Sequence, residues 1–441
     1  MNRNNEKFSK RCFSLMKRLW WESPLPDSIK ENGFYKIKGL VRGTSKGEMN
    51  LNSTVAYAKQ VLAIQDYSNS FSIDFPQGPY FDLKKDDPKF IAFYLPQYYP
   101  DKHNEKWWGK GTTEWTNVSK AAAQYVGQYQ PRLPGELGFY DLRVQDNIYR
   151  QIELARIHGV YGFCFYYYWF DGERLLDLPF DNFVNDSSID FPFMISWVNA
   201  NWTKQWNGNS DVPLIKQSPT IESYKEFIRS CTNLFLKENY ITINGNPVLL
   251  IHKPSNVPSP KEVITYWKEW VKKEIGRDLY VMCSLTDHDD YEKDYLSLGF
   301  DAVSEFAPGP QLKDMKQINE TKQFVCDEFY GKILDYKDFV VNKKYFKHNT
   351  SRMYRAACPM WDNTARKKNT GTILDGSTPD LFESWLIDLV KEMNSRTDLD
   401  DNFIFLNAWN EWAEGAYLEP DLKWKYSYLE AIKEAIMKSR N

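Results

Sequence analysis

From Phe90 onward the chain alternates short, almost uninterrupted apolar runs with stretches whose apolar positions recur every three or four residues. The runs have the length and the β-branched or aromatic content of strands buried on both faces, and the stretches between them have helical periodicity. FIAFYLPQYYP (90–100) predicts the first strand, and a long aromatic loop leads to a helix over QDNIYRQIELARIHG (145–159). Further strands are predicted at VYGFCFYYYWF (160–170), PFMISWVNANW (192–202), NPVLLIHKP (246–254) and LYVMCSL (279–285). FDAVSEFAPG (300–309), YRAACPMWDN (354–363) and NFIFLNAWNEWAEG (402–415) complete the series, with helices near 219–238, 259–274 and 422–438. Strands alternating with helices in this way indicate the α/β class, and eight of them predict a parallel (β/α)8 TIM-type barrel. Such a barrel takes about 250 residues, so the longer region 89–441 is expected to carry long loop insertions.

Residues 1–88 have a different pattern. The first 20 carry Arg3, Lys7, Lys10, Arg11, Lys17 and Arg18 against Glu6. Phe8, Cys12, Leu15, Met16 and Leu19 fall at roughly helical spacing, so a basic amphipathic helix is expected over 8–20. It could either pack on its own domain or make a peripheral contact with an anionic membrane. A helical stretch near 52–65 follows, and the Pro- and Asp-containing segment 69–89 reads as a linker.

In a parallel barrel the reactive groups stand at the carboxyl ends of the strands. Those positions are occupied by Gln97, Tyr98 and Tyr99 after the first strand, and by Tyr167, Tyr168, Trp169 and Asp171 after the second. Trp197, Asn199, Asn201 and Trp202 follow the third, His252 and Lys253 the fourth, Asp287 the fifth and Glu305 the sixth. Trp361, Asp362 and Asn363 follow the seventh, and Trp409, Asn410, Glu411, Trp412 and Glu414 the eighth. Carboxylates and amides beside flat aromatic rings suit a sugar, which offers hydroxyls at its rim and C–H groups on its faces. Composition points the same way, since 16 Trp, 28 Tyr and 27 Phe make aromatic residues 16% of the chain.

The charge is nearly balanced, with 56 basic and 59 acidic residues and a formal net of −3. That argues against nucleic acid as a partner. The six cysteines are scattered without metal-ligand spacing and there are five histidines, so neither metal nor cofactor is expected. DHDD (287–290) could hold a hard cation, but acidic residues just ahead of a helix more often cap it. No phosphate-binding glycine loop and no nucleophile elbow is present. The charged start MNRNNEKFSKRCFSLMKRLWWESP has no apolar stretch of the signal-peptide kind. No run approaches the ~20 apolar residues of a membrane span, so the expected location is the cytoplasm, with peripheral contact at the inner membrane.

The sharpest constellation is NAWNEWAEGAYLEPD (407–421). Glycosidic cleavage needs one carboxyl to protonate the leaving oxygen and a second for the opposite step. Glu411 and Glu414, three residues apart at a strand end, are the candidates; a helix N-terminus would also favour acidic residues there.

Together with FYLPQYYP (93–100), WWGKGTTEWTNV (107–118), QPRLPGELGFYDLR (130–143), GFCFYYYWFDG (162–172), SWVNANWTKQWNG (196–208) and PMWDN (359–363), this segment resembles the WbsX family. Those are glycosyltransferases of bacterial surface-polysaccharide loci, grouped with glycoside hydrolase family 99-like domains, and the resemblance covers most of residues 88–440. It implies a (β/α)8 barrel and metal-independent, retaining chemistry on α-mannoside-like linkages. Glu411-Trp412-Ala413-Glu414-Gly415 matches the E-W-x-E-G segment that carries the family 99 catalytic pair. By that likeness Glu411 takes the proton of the sugar's own 2-hydroxyl to close a 1,2-anhydro sugar, and Glu414 serves as acid and then base. Family 99 hydrolases have His where Ala413 stands, which bears on the mannoside preference. Glu114 and Trp115, inside WWGKGTTEWTNV, join Gln97, Tyr98, Tyr168, Trp169, Trp197, Asn199, Asn201, Trp202, Trp361, Asp362, Asn363 and Trp409 as expected substrate-binding residues. The expected partner is an oligo- or polysaccharide of O-antigen, capsule or lipopolysaccharide metabolism. Three activities fit: hydrolase or transglycosylase, glycosyltransferase, and non-catalytic glycan-binding barrel.

Overall fold

The computed structural model describes residues 55–60, 78–204, 209–286, 289–325 and 329–440. Its main sheet contains β1 (Lys89–Tyr94), β2 (Val160–Phe170), β3 (Phe193–Trp197), β4 (Asn246–Ile251) and β5 (Tyr280–Leu285). β6 (Ala302–Glu305), β7 (Met353–Tyr354 and Ala356–Ala357) and β8 (Phe403–Leu406) complete it. Neighbours pair in parallel, with register Phe93↔Cys164, Cys164↔Met194, Ile195↔Leu249, Leu250↔Met282 and Cys283↔Val303. β7 is interrupted at Arg355: its first part pairs with β6 and its second with β8. β8 returns to β1 through Ile404↔Phe90, so the ring is closed. The expected (β/α)8 barrel is the observed fold.

The strands are apolar on both faces because one face fills the barrel and the other meets the surrounding helices. β1 is buried at all but its first position and β2 at all but Tyr161. Gly162 permits close approach there, since a Cβ would stand 2.6 Å from the Pro192 carbonyl oxygen. Outside the ring, Thr378 caps the helix Pro379–Ser395 by accepting the Leu381 N–H. That helix buries Phe382, Trp385, Leu386, Leu389, Val390 and Met393, a stripe of helical period, and packs against Ser427–Ser439. Arg355 fastens it to the break in β7 through a two-pronged ion pair with Glu392, at 2.7 and 2.8 Å.

Several predicted boundaries moved. The third strand ends at Trp197, and Trp202–Lys204 instead pairs antiparallel with Asn209–Ile215. Trp361–Asp362 leaves the barrel to join a small sheet with Lys332–Asp335 and Thr372–Asp375. That sheet covers a second apolar cluster of Tyr125, Ile318, Phe324, Phe329, Ile333 and Ile373. Residues 8–20 lie outside the described residues, as do residues 61–77; residues 55–60 are helical, and Gln60 exchanges two hydrogen bonds of 2.7 Å with Gly127 and Gln128. The second half of the segment read as a linker docks on the barrel: Phe81 N–H donates to Arg156 O at 2.9 Å, and Arg440 pairs with Asp87. Asp287 and His288 lie outside the described residues, while Asp289 and Asp290 accept local backbone N–H groups of a turn, with no α-helix following it.

Candidate active site

After β8 the chain does not run straight into a helix. Trp409 N–H donates to Phe93 O at 2.7 Å, anchoring the exit to β1. Asn410 then clamps the end of β1, accepting from Leu95 N–H at 2.7 Å and donating to Leu95 O at 3.0 Å. Asn410–Glu411 pairs antiparallel with Ala416–Tyr417, and the 3-10 turn Trp412–Glu414 lies between them. Gly415 closes the turn at φ +61, where a Cβ would meet Asp362 N at 2.8 Å and Arg132 Nε at 3.0 Å. Glycine alone tolerates both the angle and the crowding.

Behind this hairpin lies a buried polar layer. Tyr98 Oη accepts the Trp412 N–H at 3.2 Å and donates to the Asn410 carbonyl. Trp412 stacks on Tyr417 with centroids 3.7 Å apart and donates its indole N–H to Glu419 at 2.6 Å. Glu419 also accepts from Gln151 and Tyr140, and burial pushes its carboxyl up to about 7.

Glu411 and Glu414 face an open cleft of about 800 Å³ at the carboxyl end of the barrel. One guanidinium holds both: Arg366 Nη2 donates to Glu411 Oε2 at 3.0 Å and Nη1 to Glu414 Oε1 at 2.5 Å. Its Nε donates to Glu114 Oε1 at 2.7 Å, so three carboxylates surround one buried cation. Glu414 is the more open of the pair, its side chain 20% exposed against 8% for Glu411. Burial raises Glu411 to about 8; Arg366 opposes this, and the nearby Glu414 and Glu114 charges add to it. Glu114 is raised for the same first reason, and Arg366 is held well above its ordinary value by the three carboxylates despite its burial.

Of the sequence-predicted residues, Gln97, Tyr168, Asn201, Trp202, Trp361 and Asn363 line the cleft beside the two glutamates. His252 and Lys253 line it as well. The others stand behind it. Tyr98 and Glu114 act on the hairpin and on Arg366, and Trp115 packs on Trp412 at 5.5 Å and donates to Tyr140 O. Trp169, Trp197 and Trp409 are buried in the core. Asn199 is fully buried and Asp362 accepts from Gln128 and Thr364. Among the described residues no group of His, Cys, Asp and Glu could hold a metal ion.

Arg366 was missed by pattern reading, and so were Tyr166, Phe306 and Trp108, which also line the cleft. A signal for Arg366 existed: carboxylates at a buried strand end need a cation, and Arg366 follows the strand-seven residue Asn363 by three positions.

Residues 90–432 match the family Glycosyltransferase WbsX. Two curated relatives, each named uncharacterized protein WxcX and each from a strain of Xanthomonas campestris pv. campestris, are 34% identical over 350 residues. The match covers 79% of this chain and 50% of the relatives, so the chain spans about half their length. Among solved structures, a glycoside hydrolase-like protein has a TM-score of 0.53 at 15% identity, over 84% of this chain and 99% of its own. The GH99 endo-alpha-mannosidase of Bacteroides thetaiotaomicron has a TM-score of 0.50 at 13% identity, over 81% of this chain and 98% of its own. At such identities the likeness is one of fold. The family match over nearly the whole barrel decides membership: the chain belongs to the WbsX glycosyltransferase family, carbohydrate-active enzymes, here on a (β/α)8 barrel of family 99-like shape.

Proposed function

We propose that the chain acts in bacterial surface-polysaccharide metabolism (O-antigen, capsule or lipopolysaccharide), cleaving or transferring an α-linked, mannoside-like glycosyl group with retention. The observation that carries this reading is two carboxylates, three residues apart, sharing one guanidinium at the wall of an open, aromatic-lined cleft. In the first step Glu411 takes the proton of the sugar's 2-hydroxyl, and that oxygen attacks C1. Glu414 gives a proton to the departing glycosidic oxygen, leaving a 1,2-anhydro sugar. In the second step Glu414 takes a proton from an incoming hydroxyl whose oxygen attacks C1, and Glu411 returns its proton to O2. Water as the incoming group gives hydrolysis; a sugar hydroxyl gives transfer. A pKa lifted by burial toward the working pH lets Glu411 both take up and return a proton within one catalytic cycle.

The test is incubation with a panel of α-linked glycans and sugar nucleotides, following reducing ends and free nucleotide. Reducing ends or transglycosylation products support the proposal. The family description favours a second reading, transfer from an activated donor; nucleotide release without glycan cleavage selects it. We further propose that the chain works in the cytoplasm at the inner membrane, attached through the basic stretch 8–20. Each basic residue near an anionic surface contributes about 1 kcal/mol. Sedimentation with anionic liposomes should weaken with salt, and equal sedimentation of a chain lacking residues 1–20 refutes the attachment.

A further inference from the structure

The charges that line the cleft are unevenly distributed. Glu411, Glu414 and Arg366 are committed to one another. The remaining charged side chains on its wall, among the described residues, are Lys253 beyond β4 and Lys367 beyond β7. Neither ammonium has an ion-pair or hydrogen-bond partner among those residues; Lys253 is half-buried and Lys367 exposed. On the β5 side, one carboxylate oxygen of Asp289 accepts from Thr286 N–H and Oγ1–H, both at 2.8 Å.

The backbone of Lys253 is held at both ends. The fully buried Asn199 accepts its N–H at 2.8 Å and donates to its carbonyl at 2.9 Å. Asn199 is itself fixed, its Nδ2 donating to Tyr224 Oη at 3.0 Å and its carbonyl accepting from Asn256 Nδ2 at 2.8 Å. Asn256 is also a wall residue of the cleft. The clamp fixes where the chain leaves β4, and with it the point on the cleft wall from which the Lys253 side chain starts. The neighbouring His252 stands edge-on to Tyr166 and Phe306, at 6.3 and 5.1 Å, and burial lowers its pKa to about 4. It adds no charge near neutral pH, so Lys253 is the cation of that wall.

A neutral glycan entering this cleft would strip water from two ammonium groups without replacing their hydrogen bonds, which costs free energy. A glycan bearing acid groups would meet them with charge-assisted bonds. We propose that the cleft selects an anionic saccharide, whose acid groups are received by Lys253 on the β4 side and Lys367 on the β7 side. The proposal rests on the reading of the cleft as the glycan site and adds the class of glycan. The anion has two sources of one chemistry: a carboxylate or phosphate carried by the sugar chain, or the phosphates of an activated sugar donor.

The experiment is calorimetric titration of the full chain carrying Glu411→Gln with matched oligosaccharides. The pairs are oligogalacturonate and its methyl ester, oligomannuronate and its methyl ester, and 6-phosphorylated and dephosphorylated oligomannoside. UDP, GDP and their hexose conjugates form a separate arm. At least one acidic member should bind about tenfold more tightly than its neutral twin, the order of one charge-assisted hydrogen bond. That margin should shrink with salt and shrink in Lys253→Met and in Lys367→Met, whereas neutral members, relieved of stripping water from an ammonium, should bind either variant no more weakly than before. Displacement of the acidic ligand by UDP or GDP assigns the anion to the donor; no displacement assigns it to the chain. Neutral members binding as well as acidic ones, no binding by any anion, or indifference to both lysine substitutions overturns the proposal. Reducing-end release by the wild type on the same pairs separates the two claims. Acid-selective binding without cleavage sinks the hydrolase reading alone, and cleavage confined to neutral members sinks the anion site alone.

Discussion

Arg366 ties Glu414 to Glu114, donating to the first from Nη1 at 2.5 Å and to the second from Nε at 2.7 Å. Glu114 begins the short helix Glu114–Ser119 in the loop after β1, and Glu414 belongs to the hairpin after β8. The guanidinium therefore fixes the relative position of two loops as well as the charge beside the pair. Arg366→Met should lower kcat about 10²-fold, the usual cost of misplacing a reacting group by about 1 Å. It should also move the acidic limb of the kcat/KM profile to higher pH, because Glu411 loses the cation that favours its ionised form. Glu114→Gln keeps an acceptor for Arg366 and removes an anion near Glu411, so its limb should move to lower pH. Shifts of the same sign in both variants would show that Glu411 is not the group titrating.

The pH dependence of stability follows from buried carboxyls. Glu411 is raised to about 8, and Glu305 and Glu419 to about 7, from an ordinary value of 4.5, in each case first by burial. Between about 4.5 and 8 the folded chain thus binds protons that the unfolded chain has released, and stability falls as pH rises through that window. His252, lowered to about 4, acts in the opposite direction only up to about 6.5, and it is one group against three. The thermal midpoint should be higher at pH 5.5 than at pH 8.5. A midpoint that climbs over this range would mean the three carboxyls ionise freely in the folded chain.

Gly415 offers a test of the hairpin. Gly415→Ala forces a side chain into positive φ and against Asp362 N at 2.8 Å. A loss of about 1–3 kcal/mol in unfolding free energy is expected. Activity well below the new thermal midpoint should fall further than stability does, because Glu414 immediately precedes the strained position. Full activity in a destabilised but folded variant would separate the turn from the chemistry.

The barrel was legible because strands buried on both faces leave a dense apolar record, and each predicted run contains an observed strand. What the record could not give is which strand-end residue turns inward. Trp169, Trp197 and Trp409 have the same composition cues as Trp202 and Trp361, yet the first three fill the core and the last two line the cleft. The difference lies in a few residues of local path: Trp202 leaves the barrel in a strand that pairs with Asn209–Ile215, and Trp361 leaves it for the small sheet. Arg366 was hidden for another reason. Its partners lie in two other loops, as far as 252 positions away along the chain, so the pairing itself leaves no spacing to read.

The two glutamates should be separable by leaving group. If Glu414 protonates the departing oxygen, Glu414→Gln should cripple natural glycosides far more than activated aryl glycosides, which leave without protonation. Glu411→Gln should damage both, because assistance by the 2-hydroxyl is needed whichever group departs. General acid–base assistance is typically worth about 10²–10⁴-fold, so the contrast is measurable as kcat/KM across a leaving-group series. Because Arg366 holds both carboxylates, either substitution also disturbs the other, and a common loss is expected beneath the contrast. A 2-deoxy substrate removes that ambiguity. It lacks the internal nucleophile, so wild type should turn it over no faster than Glu411→Gln does, whatever Arg366 is doing. Equal losses for both variants on every leaving group would show that the roles are misassigned, and undiminished activity in both would move the chemistry away from this hairpin.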